Sequence, residues 1–214
     1  VNTLEMDMQV SKDGKVVISH DPYFHSRYTT RPNGTLVDPK DPKEYLYTMP
    51  YDSIAKYDVG MRPNTVWPNQ AKEKAFKPMA SVLIDSVEHF TAMRGYSPMR
   101  YNIEVKSKAG KGEGTLWPDY KQFVDICIPL LLSKNLGDRL VVQCFDERAL
   151  NYMHEKYPQI KLSYLVDTKD GDFDTYMAKL NFTPAWLSPE TSMINKELVD
   201  KCHAKGIKVV PWTV

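Results

Sequence analysis

Residues 4–22 read LEMDMQVSKDGKVVISHDP, and the alternation at the front of this stretch sets how the chain folds. Leu4, Met6 and Met8 are apolar, and Glu5, Asp7 and Gln9 fall between them. Successive side chains of a strand point to opposite faces, so a strand here puts Glu5 and Asp7 on one face, about 7 Å apart along the backbone. Two carboxylates so placed repel each other unless a positive charge sits between them. Asp13-Gly14 supplies turn chemistry, glycine being free to take a positive φ, and Val16, Val17 and Ile18 form a return strand. That strand carries His20, Asp21 and Pro22 to its end, close to the two acids. An acid pair and a histidine within so short a stretch are the parts of a metal-assisted acid–base site. The plainer alternative is a solvated strand face for Glu5 and Asp7 and a simple turn for His20-Asp21-Pro22.

A second strand of the same kind lies at residues 101–106, YNIEVK. Ile103 and Val105 take one face, and Asn102, Glu104 and Lys106 take the other. If this strand runs parallel to the first, Glu104 joins Glu5 and Asp7. Three carboxylates without equal positive charge beside them need a cation. Oxygen-only ligands favour a hard ion, Mg²⁺ or Ca²⁺, over Zn²⁺. The competing reading makes Glu104 and Lys106 a surface ladder.

Around these strands the chain alternates short apolar runs with helix-like segments. The runs are 4–9, 101–106, 140–145, 161–166, 185–187 and 208–214; helical spacing marks 120–132, 147–157, 173–179 and 195–205. Leu150, Met153, His154 and Tyr157 share one helical face, and Pro158 stops that segment as Gly206 stops the last. Strand–helix–strand alternation predicts a parallel sheet with right-handed crossovers. Residues 23–98 break the rhythm, being dense in Tyr, Pro, Asn and Asp, with a helix expected only at 80–93. Such a long excursion over one end of a sheet is often a substrate-binding element.

Composition narrows the classes. The 214 residues suit one domain, and 42% apolar with 26% charged residues are values of a soluble globular protein. A formal charge of +1 gives no reason to expect nucleic acid as a partner. The apolar run at 126–132 is broken by Pro129 and falls far short of the roughly 20 residues of a membrane span, and Val1 opens no signal-peptide pattern. Cys127, Cys144 and Cys202 have no metal spacing and read as buried free thiols, which leaves the compartment open. His154-Glu155 would need histidine at 158 for a zinc-protease helix, where Pro158 stands. Asp170, Asp172 and Asp174 imitate a calcium loop but lack its glycine and its closing glutamate, so they read as a solvated loop or helix start. His25, His89 and His203 have no partner spacing and read as structural.

Residues 4–22 resemble the signature region of the glycerophosphodiester phosphodiesterase family, in which an E-hydrophobic-D strand leads through Lys-Asp-Gly to His-Asp. The likeness continues. Tyr57-Asp58-Val59-Gly60 and Phe76-Lys77-Pro78-Met79 with Val82-Leu83 are similar to two segments of the family's insertion, loosely so at Ala80 and Ser81. Asn102-Ile103-Glu104-Val105-Lys106 is very similar to its N-I-E-I/L-K strand. Gln143-Cys144-Phe145-Asp146 resembles Q-S-F-D with Cys144 in the serine position, and Val209 to Val214 resembles V-x-x-W-T-V-N.

The resemblance implies a (β/α)8 TIM barrel of the phospholipase-C-like phosphodiesterase type, with its site at the C-terminal ends of the strands. Residues 1–214 would form a single barrel domain, partial, with 23–98 as an insertion after the second strand. The family's first strand with His-Arg-Gly and its closing segment have no counterpart here, so the expectation is barrel strands two to seven of eight. The implied activity is metal-dependent hydrolysis of glycerophosphodiesters to glycerol 3-phosphate and an alcohol. Glu5, Asp7 and Glu104 would hold one divalent cation, Mg²⁺ or Ca²⁺. His20 would be the acid for the leaving group, Lys106 would contact the phosphate, and Phe145 and Trp212 would border the substrate. Asp21 would orient rather than react. Phe145 and Trp212 are equally at home as core residues. Two rivals stand beside this: a related barrel phosphodiesterase acting on lipid head groups, sphingomyelinase-D-like or phosphatidylinositol-cleaving, and a non-catalytic barrel that binds a phosphodiester or a partner. Oligomeric state and the alcohol moiety are open.

Overall fold

The alternating stretch forms the long strand β1, Thr3–Val10, and the turn at Gly14 (φ 72°) returns it as β2, Val16–Ile18. The structure, a computed structural model, describes residues 2–64 and 66–213. Val1 and Val214, the outer ends of the segments read above, lie outside the described residues. The remaining elements are α1 (Tyr51–Ile54), α2 (Ala80–Met93), β3 (Arg100–Val105), α3 (Tyr120–Ser133), β4 (Leu140–Cys144), α4 (Glu147–Lys156), β5 (Lys161–Val166), α5 (Phe173–Met177), β6 (Trp186–Pro189), α6 (Lys196–Ala204) and β7 (Lys208–Val209).

The strands form one sheet in the order β2-β1-β3-β4-β5-β6-β7. Only β2 pairs antiparallel; every other neighbour is parallel and is reached through a crossover. Six parallel strands with connecting helices are the architecture of an incomplete (β/α)8 barrel. Alternation assigns the two faces. Met6, Met8, Ile103, Val105, Val142, Cys144, Leu162 and Tyr164 pack outward with α3, α4 and α6 into the main core. The other face carries Glu5, Asp7, Asn102, Glu104, Gln143, Ser163 and Ser188. Parallel strands buried on both faces usually read as continuous apolar runs. Here the inner face is polar along β1 and β3, so those strands alternate and are legible, whereas Val141 and Leu165 place buried apolar side chains on the same face in β4 and β5.

The helices start where side chains cap them. Asp119, Asp146, Asp172 and Asn195 each accept backbone N–H groups of the first turn of α3, α4, α5 and α6. The helix expected at 80–93 spans those residues. Pro129 interrupts the apolar run in sequence but not the helix, which continues through it.

The run at 208–214 differs from expectation. Only Lys208–Val209 forms strand, and Val210 N–H still reaches Leu187 O at 2.9 Å. Trp212 N–H goes on to Pro189 O at 3.0 Å, so the contact with β6 passes Pro211 and ends in an isolated bridge of Trp212 to Glu190, just beyond β6. Between β2 and α2 the chain builds a small core of its own from Val17, Phe24, Leu46 and Ile54, with the Phe24 and Tyr57 rings stacked at 3.9 Å. Its last segment is tied back to β2 through Ile18 N–H to Pro78 O, 2.9 Å.

Candidate active site

Register brings the acids together. Asp7 pairs with Glu104 across β1 and β3, and Glu104 with Gln143 across β3 and β4. One carboxylate oxygen from each of Glu5, Asp7 and Glu104 lies within 4.8 Å of the others. The three differ in setting: Glu5 is exposed, Asp7 half-buried and Glu104 buried. Lys106 follows β3 on the same face, with Nζ 3.1 Å from Glu104 and 3.5 Å from Asp7. The positive charge that the acid pair requires is thus partly supplied by Lys106, two residues after Glu104 and on the same face.

Burial dominates the electrostatics. It pushes the Glu104 carboxyl up to about 8, with Lys106 pulling the other way and Asp7 reinforcing the rise. Burial and then Asp7 raise Glu5, while Lys106, His20 and a hydrogen bond from Gln143 oppose them. Burial works to lower Lys106, yet Glu104 and Asp7 together hold it above its ordinary value. Three acids around one lysine remain short of positive charge.

The inner face also holds an amide relay. Asn102 donates to Gln143 Oε1 at 2.9 Å, and Gln143 donates to Glu5 Oε1 at 2.8 Å. Among the described residues, no donor reaches the buried Asn102 Oδ1 oxygen. Gln143 was legible only as the polar residue of the otherwise apolar strand LVVQC; nothing local joins it to Glu5, 138 residues away.

A cavity of about 790 Å³ opens above this group, lined by Glu104, Lys106, His20, Phe145, Trp117 and Tyr45 among others. His20 stands at its rim, its side chain 72% exposed, with Nδ1 3.1 Å from the Asp21 carboxylate. That contact is the main cause raising His20 and lowering Asp21 from their ordinary values. An ionised carboxylate only accepts, so the imidazole donates through Nδ1 and leaves Nε2 for the cavity. Asp21 thus sits where it can hold one orientation of the His20 ring. Phe145 forms part of the wall. Trp212 packs edge-on against it at 5.4 Å, with its indole N–H on Ser188 O at 3.0 Å, and supports that wall from behind.

A loop after β3 closes one side. Arg148 binds the Asp146 carboxylate at 2.7 and 2.9 Å and reaches Glu113, and Ser107 donates to Asp146 at 2.8 Å. Trp117 lies against the backbone of Gly112 and donates its indole N–H to Lys108 O at 2.7 Å. Sequence reading missed this clamp, because its members are scattered over three segments. Together the site offers acids for a hard cation, a lysine and an exposed histidine at one cavity, a set suited to an anionic, hydrolysable substrate.

The family model for the glycerophosphoryl diester phosphodiesterase family matches residues 1–214. A glycerophosphodiester phosphodiesterase of Caldanaerobacter subterraneus subsp. tengcongensis is 25% identical over 211 residues, covering 99% of this chain and 73% of its own. One from Bacillus subtilis is 23% identical over 218 residues, covering 99% of this chain and 66% of its own. The chain thus spans about two thirds to three quarters of the length of these relatives. Among solved structures, one from Silicibacter pomeroyi carrying the same family name superposes with a TM-score of 0.83 at 21% identity, over 100% of this chain and 73% of that one. An Oleispira antarctica phosphodiesterase, in complex with the product sn-glycerol-3-phosphate, superposes with a TM-score of 0.72 at 22% identity, again over 100% and 73%. These likenesses show the fold.

Proposed function

The chain belongs to the glycerophosphoryl diester phosphodiesterase family, a family of phosphoric diester hydrolases, and from that premise we propose that the protein hydrolyses a glycerophosphodiester to glycerol 3-phosphate and an alcohol, using one divalent cation, Mg²⁺ or Ca²⁺. The observation that carries this reading is the convergence of Glu5, Asp7, Glu104 and Lys106 beneath a cavity with His20 at its rim. The product bound in the Oleispira phosphodiesterase supports the choice of product.

The donor set fits a hard cation. All three candidate ligands are carboxylate oxygens, they outnumber the one lysine among them, and burial raises Glu104 as it would an acid short of a counter-charge. The unpartnered Asn102 oxygen on the same face adds an acceptor. When bound, the cation neutralises charge on the phosphodiester oxygens. Lys106 supplies a second positive contact to the phosphate. As a water oxygen bonds to phosphorus and releases its proton to solvent, the P–O bond to the alcohol breaks, and His20, in its charged form with Nδ1–H on Asp21, gives its Nε2 proton to the departing alcohol oxygen. Phe145, backed by Trp212, borders the substrate. Residues 1–214 act as one barrel domain, and the insertion at 23–98 contributes Tyr23, Lys43 and Tyr45 to the cavity wall.

The test is release of glycerol 3-phosphate from glycerophosphocholine by the folded protein, in EDTA and then with Mg²⁺ or Ca²⁺ restored. Release that disappears with EDTA and returns with the metal is expected. No release with either ion overturns the substrate assignment and directs attention to lipid head groups.

A further inference from the structure

Lys77 belongs to none of the groups above, yet it is one of the most buried charged residues of the protein, at 6% exposure. Its Nζ donates to Ser19 Oγ at 2.6 Å, and among the described residues it forms no ion pair. The Phe24 and Tyr28 rings lie 5.6 and 6.0 Å from it. Burial drives its ammonium down to about 8, and Asp21 is the charge that opposes the drop. A buried cation that no carboxylate pairs destabilises the fold, and an apolar side chain of the same length would not. Its neighbours indicate what it does. Ser19 passes the contact on, its hydroxyl donating to Asp21 O at 2.6 Å. Ser19 N–H also donates to Asp7 O at 2.9 Å, and Gln9 holds His20 O at 3.3 Å. Just past this point the insertion is tied to β2 through Ile18 N–H to Pro78 O and a bridge between Val17 and Met79, and within the insertion the Tyr51 hydroxyl donates to Lys77 O.

We propose that Lys77 is a positioning residue for the hydrolysis: through Ser19 it locks the turn at residues 19–21 and sets a positive charge behind Asp21, so that Asp21 holds the His20 ring with Nε2 toward the cavity. The inference rests on the hydrolytic reading of the site. It also gives the insertion a task beyond walling the cavity, because the strap that closes it delivers Lys77 to the acid–base pair.

The test compares Lys77→Met, Ser19→Ala and the double variant in the whole protein. Lys77→Met keeps the volume and removes the charge. It is expected to melt at the same or a higher temperature, to keep KM within about twofold and to lose about 10–100-fold in kcat, the usual cost of removing a group that orients an active residue. Ser19→Ala breaks the same relay one atom later. It is expected to lower kcat comparably, and the double variant to lose little more than either. The second readout is the ¹⁵N spectrum of the His20 imidazole at one pH, which needs no turnover. Recorded where the ring is neutral, it shows the Nδ1–H tautomer in the unchanged protein and a mixture in Lys77→Met. A kcat within twofold with the tautomer unmoved overturns the proposal, as do losses in the two single variants that simply multiply. If the unchanged protein releases no glycerol 3-phosphate, the function reading fails, and the tautomer of Lys77→Met alone decides the role of Lys77.

Discussion

Glu104 is the residue on which both chemistry and stability turn. Glu104→Gln keeps the shape and removes the charge, and is expected to lower kcat/KM by about 10³-fold or more while the protein stays folded. Steady-state kinetics beside a circular dichroism spectrum check both halves. His20→Ala is expected to cost about 10²–10⁴-fold in kcat, the range for a general acid, and to leave divalent-cation binding in calorimetry unchanged because His20 is not in the acid cluster. The raised Glu104 carboxyl also sets a direction with pH. Without metal, the unfolded chain releases this proton near 4.5 and the folded protein only near 8, so the folded state binds more protons between those values. Stability contributed by this group is therefore complete below about 4.5 and lost as pH rises toward 8; the raised His20 acts in the same direction. In EDTA the melting temperature should fall over this range, and Glu104→Gln should flatten the slope. An unchanged slope in that variant would locate the effect elsewhere.

The loop between β3 and α3 is the element that most depends on tertiary fit. A Cβ built on Gly112 would meet the Trp117 ring at 2.3 Å, so the loop closes only because residue 112 has no side chain. Gly112→Ala must push the indole off the backbone and off its hydrogen bond to Lys108 O. Overpacking of this kind costs about 1–3 kcal/mol, to be read from urea midpoints. Trp117 lines the cavity, so KM should rise more than kcat falls. The Arg148 clamp on Asp146 and Glu113 holds the other side of the loop and fixes where α4 begins, since Asp146 is also the cap of that helix. Helix limits themselves were readable: 80–93 matches α2, and the segments at 120, 147 and 173 start where an aspartate caps. The end of the sheet was not, because past Lys208–Val209 the apolar run keeps to β6 only through single hydrogen bonds from Val210 and Trp212.

At the scale of the whole molecule, metal and fold are linked. A cation that binds the folded acids and not the unfolded chain stabilises by about 2.7 kcal/mol at 100 times its Kd. For a chain of this size that is roughly 5–10 °C in Tm. Adding Mg²⁺ or Ca²⁺ to the EDTA-treated protein should produce such a shift, and Glu104→Gln should lose most of it. A shift that survives the substitution would place the cation elsewhere.

The sequence by itself determined the two-faced strands, their order with the helices, and which residues share a face. Glu5, Asp7 and Glu104 were legible because alternation is a local property: a strand sends successive side chains to opposite sides whatever lies next to it. His20-Asp21 was legible for the same reason, being adjacent in the chain. Only the tertiary structure decided that Asp7 stands opposite Glu104, that Lys106 lies between them, that Gln143 reaches Glu5, and that Lys77 is buried against Ser19. These contacts depend on the register between strands joined by long crossovers and on where an irregular excursion returns. No local pattern encodes either. The energetic character of the site belongs to the same level, since a carboxyl and an ammonium of ordinary acidity in the unfolded chain are shifted toward each other, Glu104 up and Lys77 down, only when packing takes water away from them.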